Sequence, residues 1–192
     1  MILLKKPLIL ASNSPRRKQL LTDAGFDFTV EVLPTDESYP ADLPAEQVAD
    51  YISKGKAQMF LNARPDSLVL TADTIVVADH EILGKPADER EAFKMLRKLS
   101  GKKHIVITSV SLLAGESIQT ISDVAEVSLR ELEDWEITYY IEQYKPFDKA
   151  GAYGIQEWIG MTGVDRIEGS FYTIMGLPVH IVYEMLKPYF TK

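Results

Sequence analysis

The 192-residue chain sets 21 Lys and Arg against 28 Asp and Glu, a formal net charge of −7 at pH 7. Its 46% hydrophobic and 26% charged residues are those of a globular protein, and no run approaches the roughly 20 continuous apolar residues of a membrane span. The absence of cysteine excludes disulfides, thiolate metal sites and cysteine nucleophiles together, while the acidic balance disfavours broad nucleic-acid binding, which needs a basic surface. One small phosphorylated ligand in a locally basic pocket stays compatible with that balance. Leu8-Ile9-Leu10-Ala11 reads as a short buried strand running into Ser12-Asn13-Ser14-Pro15-Arg16-Arg17 and then a helix. In that helix Ser14 is the N-cap, Pro15 the first helical residue and Gly25 the residue just past the end. Phe28–Val32 is a second strand candidate, followed by a polar loop with Asp36, Glu37, Pro40 and Pro44.

Further along, Val48, Ile52, Met59 and Phe60 recur near helical spacing and predict a helix over 45–62. Ser67–Ala78 is rich in β-formers, with an interruption expected at Ala72-Asp73-Thr74. A hairpin tip at Asp79-His80-Glu81 returns through Ile82-Leu83. Ala92, Phe93, Leu96 and Leu99 mark a helix over about 88–100, stopped by Gly101. Ile105–Leu113 and Ile118–Leu129 read as paired strands around Ala114-Gly115-Glu116. Glu133–Tyr144 is a helix ended by Pro146, the glycine-rich stretch 150–176 is loops and short strands, and Pro178–Leu186 is the last helix. The opening residues place their charges after a very short apolar run, the reverse of a secretory signal, so a cytoplasmic protein without a membrane partner is expected. The pattern is a mixed α/β domain with a central sheet.

Several places could carry chemistry. A strand leading through Ser-x-Ser-Pro-Arg-Arg into a helix presents unpaired N–H groups and a partial positive charge, which suit an oxyanion. Ser12 and Ser14 add hydroxyls and Arg16 a forked donor; a capped helix with two solvated arginines accounts for the same residues. Asp73 could hold a hard cation or satisfy local amides in an Asx-turn. Asp36 and Glu37 are loop acids of the kind that, with Asp73, suit Mg²⁺. Lys85, in Gly84-Lys85-Pro86, and Lys56, on its helix, could reach phosphates or be ordinary surface charges. The run Ala150–Gln156 offers a close backbone approach and one amide, or a turn packed with an aromatic residue. His80, His104 and His180 lack metal-ligand spacing, Ser170 is not in a nucleophile elbow, and Trp135 and Trp158 read as packing anchors.

Taken in order, Leu8–Arg17, Ala72–Val76, Gly84–Pro86, Leu99–Gly101, Asp148–Gln156, Ile167–Ser170 and Met175–Pro178 resemble the Maf proteins, from about residue 8 to the last helix. That resemblance implies a nucleoside triphosphate pyrophosphatase, a hydrolase of acid anhydrides that cuts between the α and β phosphates. It implies a single domain over 1–192 with a long bent mixed sheet, flanking helices and two lobes around a cleft, similar to inosine triphosphatases. It further implies a divalent metal, Mg²⁺ or Mn²⁺, and a homodimer. On the matching positions, Asp73 would accept the proton of the attacking water, Asp73 and Glu37 would hold metal, and Ser12, Arg16, Lys56 and Lys85 would grip the phosphates. Arg16, Thr74 and Gln156 match the branch acting on dTTP and UTP. The Gln156 amide can pair with the O/N–H edge of a pyrimidine. Two departures stand out: Glu157-Trp158 follows Gln156 where glycine is common in the family, and Leu33-Pro34-Thr35-Asp36 departs from a hydrophobic-acidic pattern. The main rival reading is a non-catalytic nucleotide sensor regulating cell division, and a second is an enzyme of the same fold acting on modified or non-standard nucleotides.

Overall fold

β1 (Leu8–Leu10) is buried at all three positions, as a strand covered on both faces must be. It pairs in parallel with β2 (Thr29–Val30) on one side and with β3 (Leu68–Ala78) on the other, Leu8 opposite Leu68. Helices α1 (Pro15–Asp23) and α2 (Ala45–Gln58) fall between these strands in the chain, the crossover that parallel neighbours require. The computed structural model describes residues 2–191. Its sheet has seven strands in the order β2, β1, β3, β5 (Lys103–Ala114), β6 (Ser117–Leu129) and β7 (Val164–Glu168), with β4 (Glu81–Leu83) antiparallel to the end of β3. The turn between β3 and β4 places Asp79 and His80 at φ 51° and 65°, as the tight hairpin expected there demands. β5 and β6 are neighbours on either side of Gly115, and β7 runs antiparallel to β6. No described helix is long and apolar enough to cross a membrane.

The chain divides into two units, and the division cuts through β3, β5 and β6. One unit comprises Met1–Asp73, Thr108–Asp123 and Gly176–Lys192. Ile9, Ala11, Ala57, Phe60, Val69 and Leu113 form part of its core. Buried hydroxyls tie α2 to the strands: Ser53 Oγ and Ser111 Oγ share a hydrogen bond at 2.9 Å, and Thr71 Oγ1 donates to the Ser53 carbonyl at 2.6 Å. The last helix of this unit, α7 (Val179–Leu186), buries Val182, Met185 and Leu186. Beyond it, the Thr191 amide donates to Leu3 O at 2.9 Å and the Lys5 amide to Tyr189 O at 2.8 Å, so the first and last segments are stitched together.

The second unit comprises Thr74–Ile107 and Val124–Met175. Helix α3 (Glu89–Leu99) starts where the Asp88 carboxylate accepts from the Glu91 amide at 2.7 Å, and it buries Ala92, Leu96 and Leu99. Helix α4 (Asp134–Tyr144) starts with a reciprocal Glu133–Glu136 capping box and ends at Lys145, φ 46°. Its Ile137, Tyr140 and Ile141 join α3 in the core, together with Ala152, Tyr153, Ile155 and Ile159.

Two expectations are corrected. β3 is unbroken through Ala72-Asp73-Thr74, because residues 68–70 are held by β1 and 76–78 by β4, and pairing on both sides overrides the poor strand propensity of Asp. The stretch 150–176 also holds more than loops and strands: a 3₁₀ turn at Ala150–Ala152, α5 (Trp158–Gly163), β7 and α6 (Phe171–Met175). Short helices there carry too few turns for an apolar period to show. Smaller shifts trim β2 to two residues and end α2 at Gln58 instead of Asn62.

Candidate active site

In the first unit, the segment between β1 and α1 is folded by its own hydroxyls. Ser12 Oγ accepts from the Ser14 amide at 3.2 Å, and Ser14 Oγ accepts from the Arg17 amide at 3.4 Å, which makes Ser14 the N-cap expected. Arg17, in the first turn, is turned inward and is not solvated as the capped-helix alternative has it. Its Nε donates to the Gly176 carbonyl at 2.8 Å and its Nη1 to the Ala72 carbonyl at 2.7 Å, with Ser12 Oγ at 3.4 Å. The Ala72 carbonyl lies between the stretches of β3 registered with β1 and with β4, and the guanidinium takes it. Burial pushes Arg17 below its ordinary range; Asp73 pulls it back up, Arg16 lowers it and Glu37 raises it. Arg17 was missed as a candidate, although a signal existed: it lies three and four residues before the buried Leu20 and Leu21, hence on the inward face of α1. Arg16 is half-buried on the same first turn.

Asp73 and Lys56 meet within this unit. Lys56 Nζ, in the last turn of α2, lies 2.8 Å from Asp73 Oδ1 and 2.9 Å from Glu37 Oε1. The Lys56 and Asp73 side chains are 15% and 14% exposed and Glu37 is 53% exposed, so the pair is sheltered and the loop acid closes it from the solvent side. Asp36 is not part of this group: its carboxylate accepts from the Ser38 amide at 2.9 Å and the Ser38 hydroxyl at 2.8 Å. The structure thus brings together Ser12, Lys56, Asp73 and Glu37 with the Arg16–Arg17 turn.

Two carboxylates converging on one ammonium form a cation position. No group of three or more His, Asp or Glu side chains suited to a metal occurs among the described residues. Two oxygen ligands are nevertheless what Mg²⁺ commonly takes from protein, with waters and substrate phosphates completing the shell. The Asp73–Glu37 donor set therefore fits a hard divalent cation.

The second unit holds the remaining candidates. Thr74 is half-buried on β3, and Lys85 and Gln156 are exposed. The Gly84 carbonyl accepts from the Gly151 amide at 3.0 Å, which ties the Lys85 loop to the segment leading to Gln156. Gly151 has φ 68° and a side chain there would meet Val76 at 3.1–3.2 Å, so the run is packed closely against β3. Behind it, His104 Nε2 and Tyr153 Oη are 2.7 Å apart in the core. A buried polar group that no sequence signal marked, Lys149 with Glu157 and Tyr140, lies beneath Gln156.

Comparison with known proteins identifies the family. Residues 7–189 match the family described as Maf-like protein. A dTTP/UTP pyrophosphatase of Phocaeicola vulgatus is 52% identical over 95% of this chain and 96% of its own length. The dTTP/UTP pyrophosphatases of Bacteroides thetaiotaomicron and Cytophaga hutchinsonii are 50% and 49% identical over 95% of this chain, covering 96% and 84% of theirs. Among solved structures, the Staphylococcus aureus Ham1 protein superposes with a TM-score of 0.57 at 12% identity, over 95% of this chain and 99% of that one, a likeness of fold. A family match spanning the strand–Ser-x-Ser-Pro-Arg-Arg–helix start, the Lys56–Asp73–Glu37 group and the Gln156 loop leaves one assignment: the chain belongs to the Maf family.

Proposed function

We propose that this protein is a nucleoside triphosphate pyrophosphatase that hydrolyses dTTP and UTP to the monophosphate and pyrophosphate. The observation that carries the reading is the sheltered Lys56–Asp73–Glu37 group in a chain half identical, along nearly all of its length, to proteins named for that activity. In the reaction a water oxygen bonds to the α-phosphorus, the bond to the bridging oxygen of the β-phosphate breaks, and the water proton passes to Asp73. Lys56, already beside Asp73, holds that carboxylate in place and offers its ammonium to phosphate oxygens. Ser12, Arg16 and the N–H groups at the start of α1 bind phosphate as a helix N-terminus does, and Arg17 fixes that turn against Ala72 and Gly176.

Asp73 and Glu37 would hold Mg²⁺ or Mn²⁺, which when bound supplies charge neutralisation of the triphosphate. On the family resemblance Lys85 acts as a further phosphate-neutralising catalytic group, and Thr74 and Gln156 select the pyrimidine base. A homodimer working in the cytoplasm is the setting that the same resemblance gives the enzyme. The test is chromatographic separation of the products from a panel of nucleoside triphosphates with Mg²⁺ or Mn²⁺. Monophosphate and pyrophosphate from dTTP and UTP are expected. Inorganic phosphate as the first product would overturn the bond assignment, and nucleotide binding without turnover would turn the reading to a sensor.

A further inference from the structure

Gln156 is exposed, yet the turn that carries it is held from beneath at both ends. The Glu157 amide donates to the Gly154 carbonyl at 3.0 Å, closing a four-residue turn in which Gln156 is the third residue. One phenol touches both ends of that turn: Tyr140 Oη accepts from the Gly154 amide at 2.9 Å and donates to Glu157 Oε2. The other oxygen of the same carboxylate, Oε1, lies 3.1 Å from Lys149 Nζ, which is also 2.8 Å from Asp148 Oδ1. Tyr140 is fully buried and Lys149 is 8% exposed, so neither is a solvated surface group. Gly154 is required by the same arrangement. A Cβ there would lie 2.8 Å from Glu157 Cδ and 3.1 Å from Gln156 Nε2, so both side chains lie over its bare α-carbon.

A buried ammonium and a buried phenol converging on one carboxylate are more than a turn needs in order to form, since Gly154 and Glu157 already close it through the backbone. Charge-assisted hydrogen bonds in a sheltered place are stiff and directional, and the turn they hold carries Gln156, whose Nε2 packs over Gly154. We propose that Glu157, clamped by Tyr140 and Lys149, is a positioning residue that fixes the Gln156 amide for reading the nucleobase and thereby sets the preference for dTTP and UTP over CTP. The role rests on the pyrophosphatase reading above.

The experiment compares Glu157→Gln and Tyr140→Phe with wild type, using steady-state kinetics on dTTP, UTP and CTP and thermal melting as the check on folding. Glutamine keeps the volume of Glu157 but offers one acceptor oxygen where two donors point. KM for dTTP and UTP is expected to rise about tenfold, the effect of losing one charge-assisted hydrogen bond. Over the same variants kcat stays within about threefold, the split expected when binding orientation and not chemistry is disturbed. The preference for dTTP over CTP falls in parallel. The double variant is expected to be no worse than the poorer single one, because both break the same clamp.

A merely structural role would lower the melting temperature and the active fraction, hence kcat, with KM and base preference unchanged, and would overturn the proposal. Folded variants with wild-type KM and base preference would overturn it equally. Should E157Q not fold, Y140F alone decides between the same outcomes. The wild-type column separates two failures: wild type turning over dTTP and UTP beside an indifferent E157Q sinks the clamp alone, whereas a wild type that turns over neither sinks the functional reading and the clamp with it.

Discussion

Asp73 and Arg17 show how differently two residues of one site announce themselves. Asp73 stood out as a carboxylate inside an apolar run, and the structure gives it Lys56 as a partner at 2.8 Å, although its expected bend is absent. Asp73→Asn keeps the shape and removes the proposed proton acceptor. Turnover of dTTP is expected to fall by about 10²-fold or more, with nucleotide affinity by calorimetry changed much less; retained turnover would remove Asp73 from its role. Arg17 looked like one of two equivalent arginines. What separates it is the fork by which it reaches the Ala72 and Gly176 carbonyls, and a lysine cannot make both contacts. Arg17→Lys is expected to cost about 1–3 kcal/mol in urea unfolding. Glu37 and Lys56 were legible as residue types only, because their meeting depends on the path of a loop that no periodicity describes.

At the scale of elements, the legible parts were those with local signals. Ser14 and Asp88 cap their helices where the sequence placed the starts, since a short polar side chain satisfies helix N–H groups without help from tertiary structure, and Glu133 opens its helix through the capping box with Glu136. Asp88→Ala is expected to cost about 1 kcal/mol of stability, measured by chemical denaturation, with catalysis unchanged. The 150–176 stretch was least legible: its helices are short, and its form is dictated by packing against α4 and β3 and not by its own pattern. Gly151 illustrates this, sitting at φ 68° against Val76. Gly151→Ala adds a left-handed penalty of about 1–2 kcal/mol to that contact. The melting temperature is expected to drop by about 2–4 °C per kcal/mol for a chain of this size.

For the molecule as a whole, the α/β class and the order of elements followed from alternating apolar periods, whereas the boundaries of the two units did not, because β5 and β6 each read as one strand and the division falls inside them; only in β3 does it fall at the expected interruption, between Asp73 and Thr74. Stability of the whole is tied to pH through His104. Burial depresses its pKa from 6.5 to about 4, so the folded protein keeps the ring neutral where the unfolded chain protonates it. The contribution is fully present above pH 6.5 and is lost as pH falls toward 4, by up to about 3 kcal/mol. Urea unfolding from pH 7 to pH 4.5 is expected to show this loss, with a shallower slope in His104→Gln; parallel slopes would refute it. The stitched termini bear on how the protein is made. The first unit takes its segments from both extremes of the chain, and domains emerging from a ribosome fold in the order they are delivered. A nascent chain of the first hundred residues has Arg17 and the Ala72 carbonyl but lacks Gly176, and has the Lys5 amide but lacks Tyr189. The turn between β1 and α1 therefore gains its final support only after Gly176 has been made, and a nonsense codon shortly after residue 170 leaves this unit unfinished.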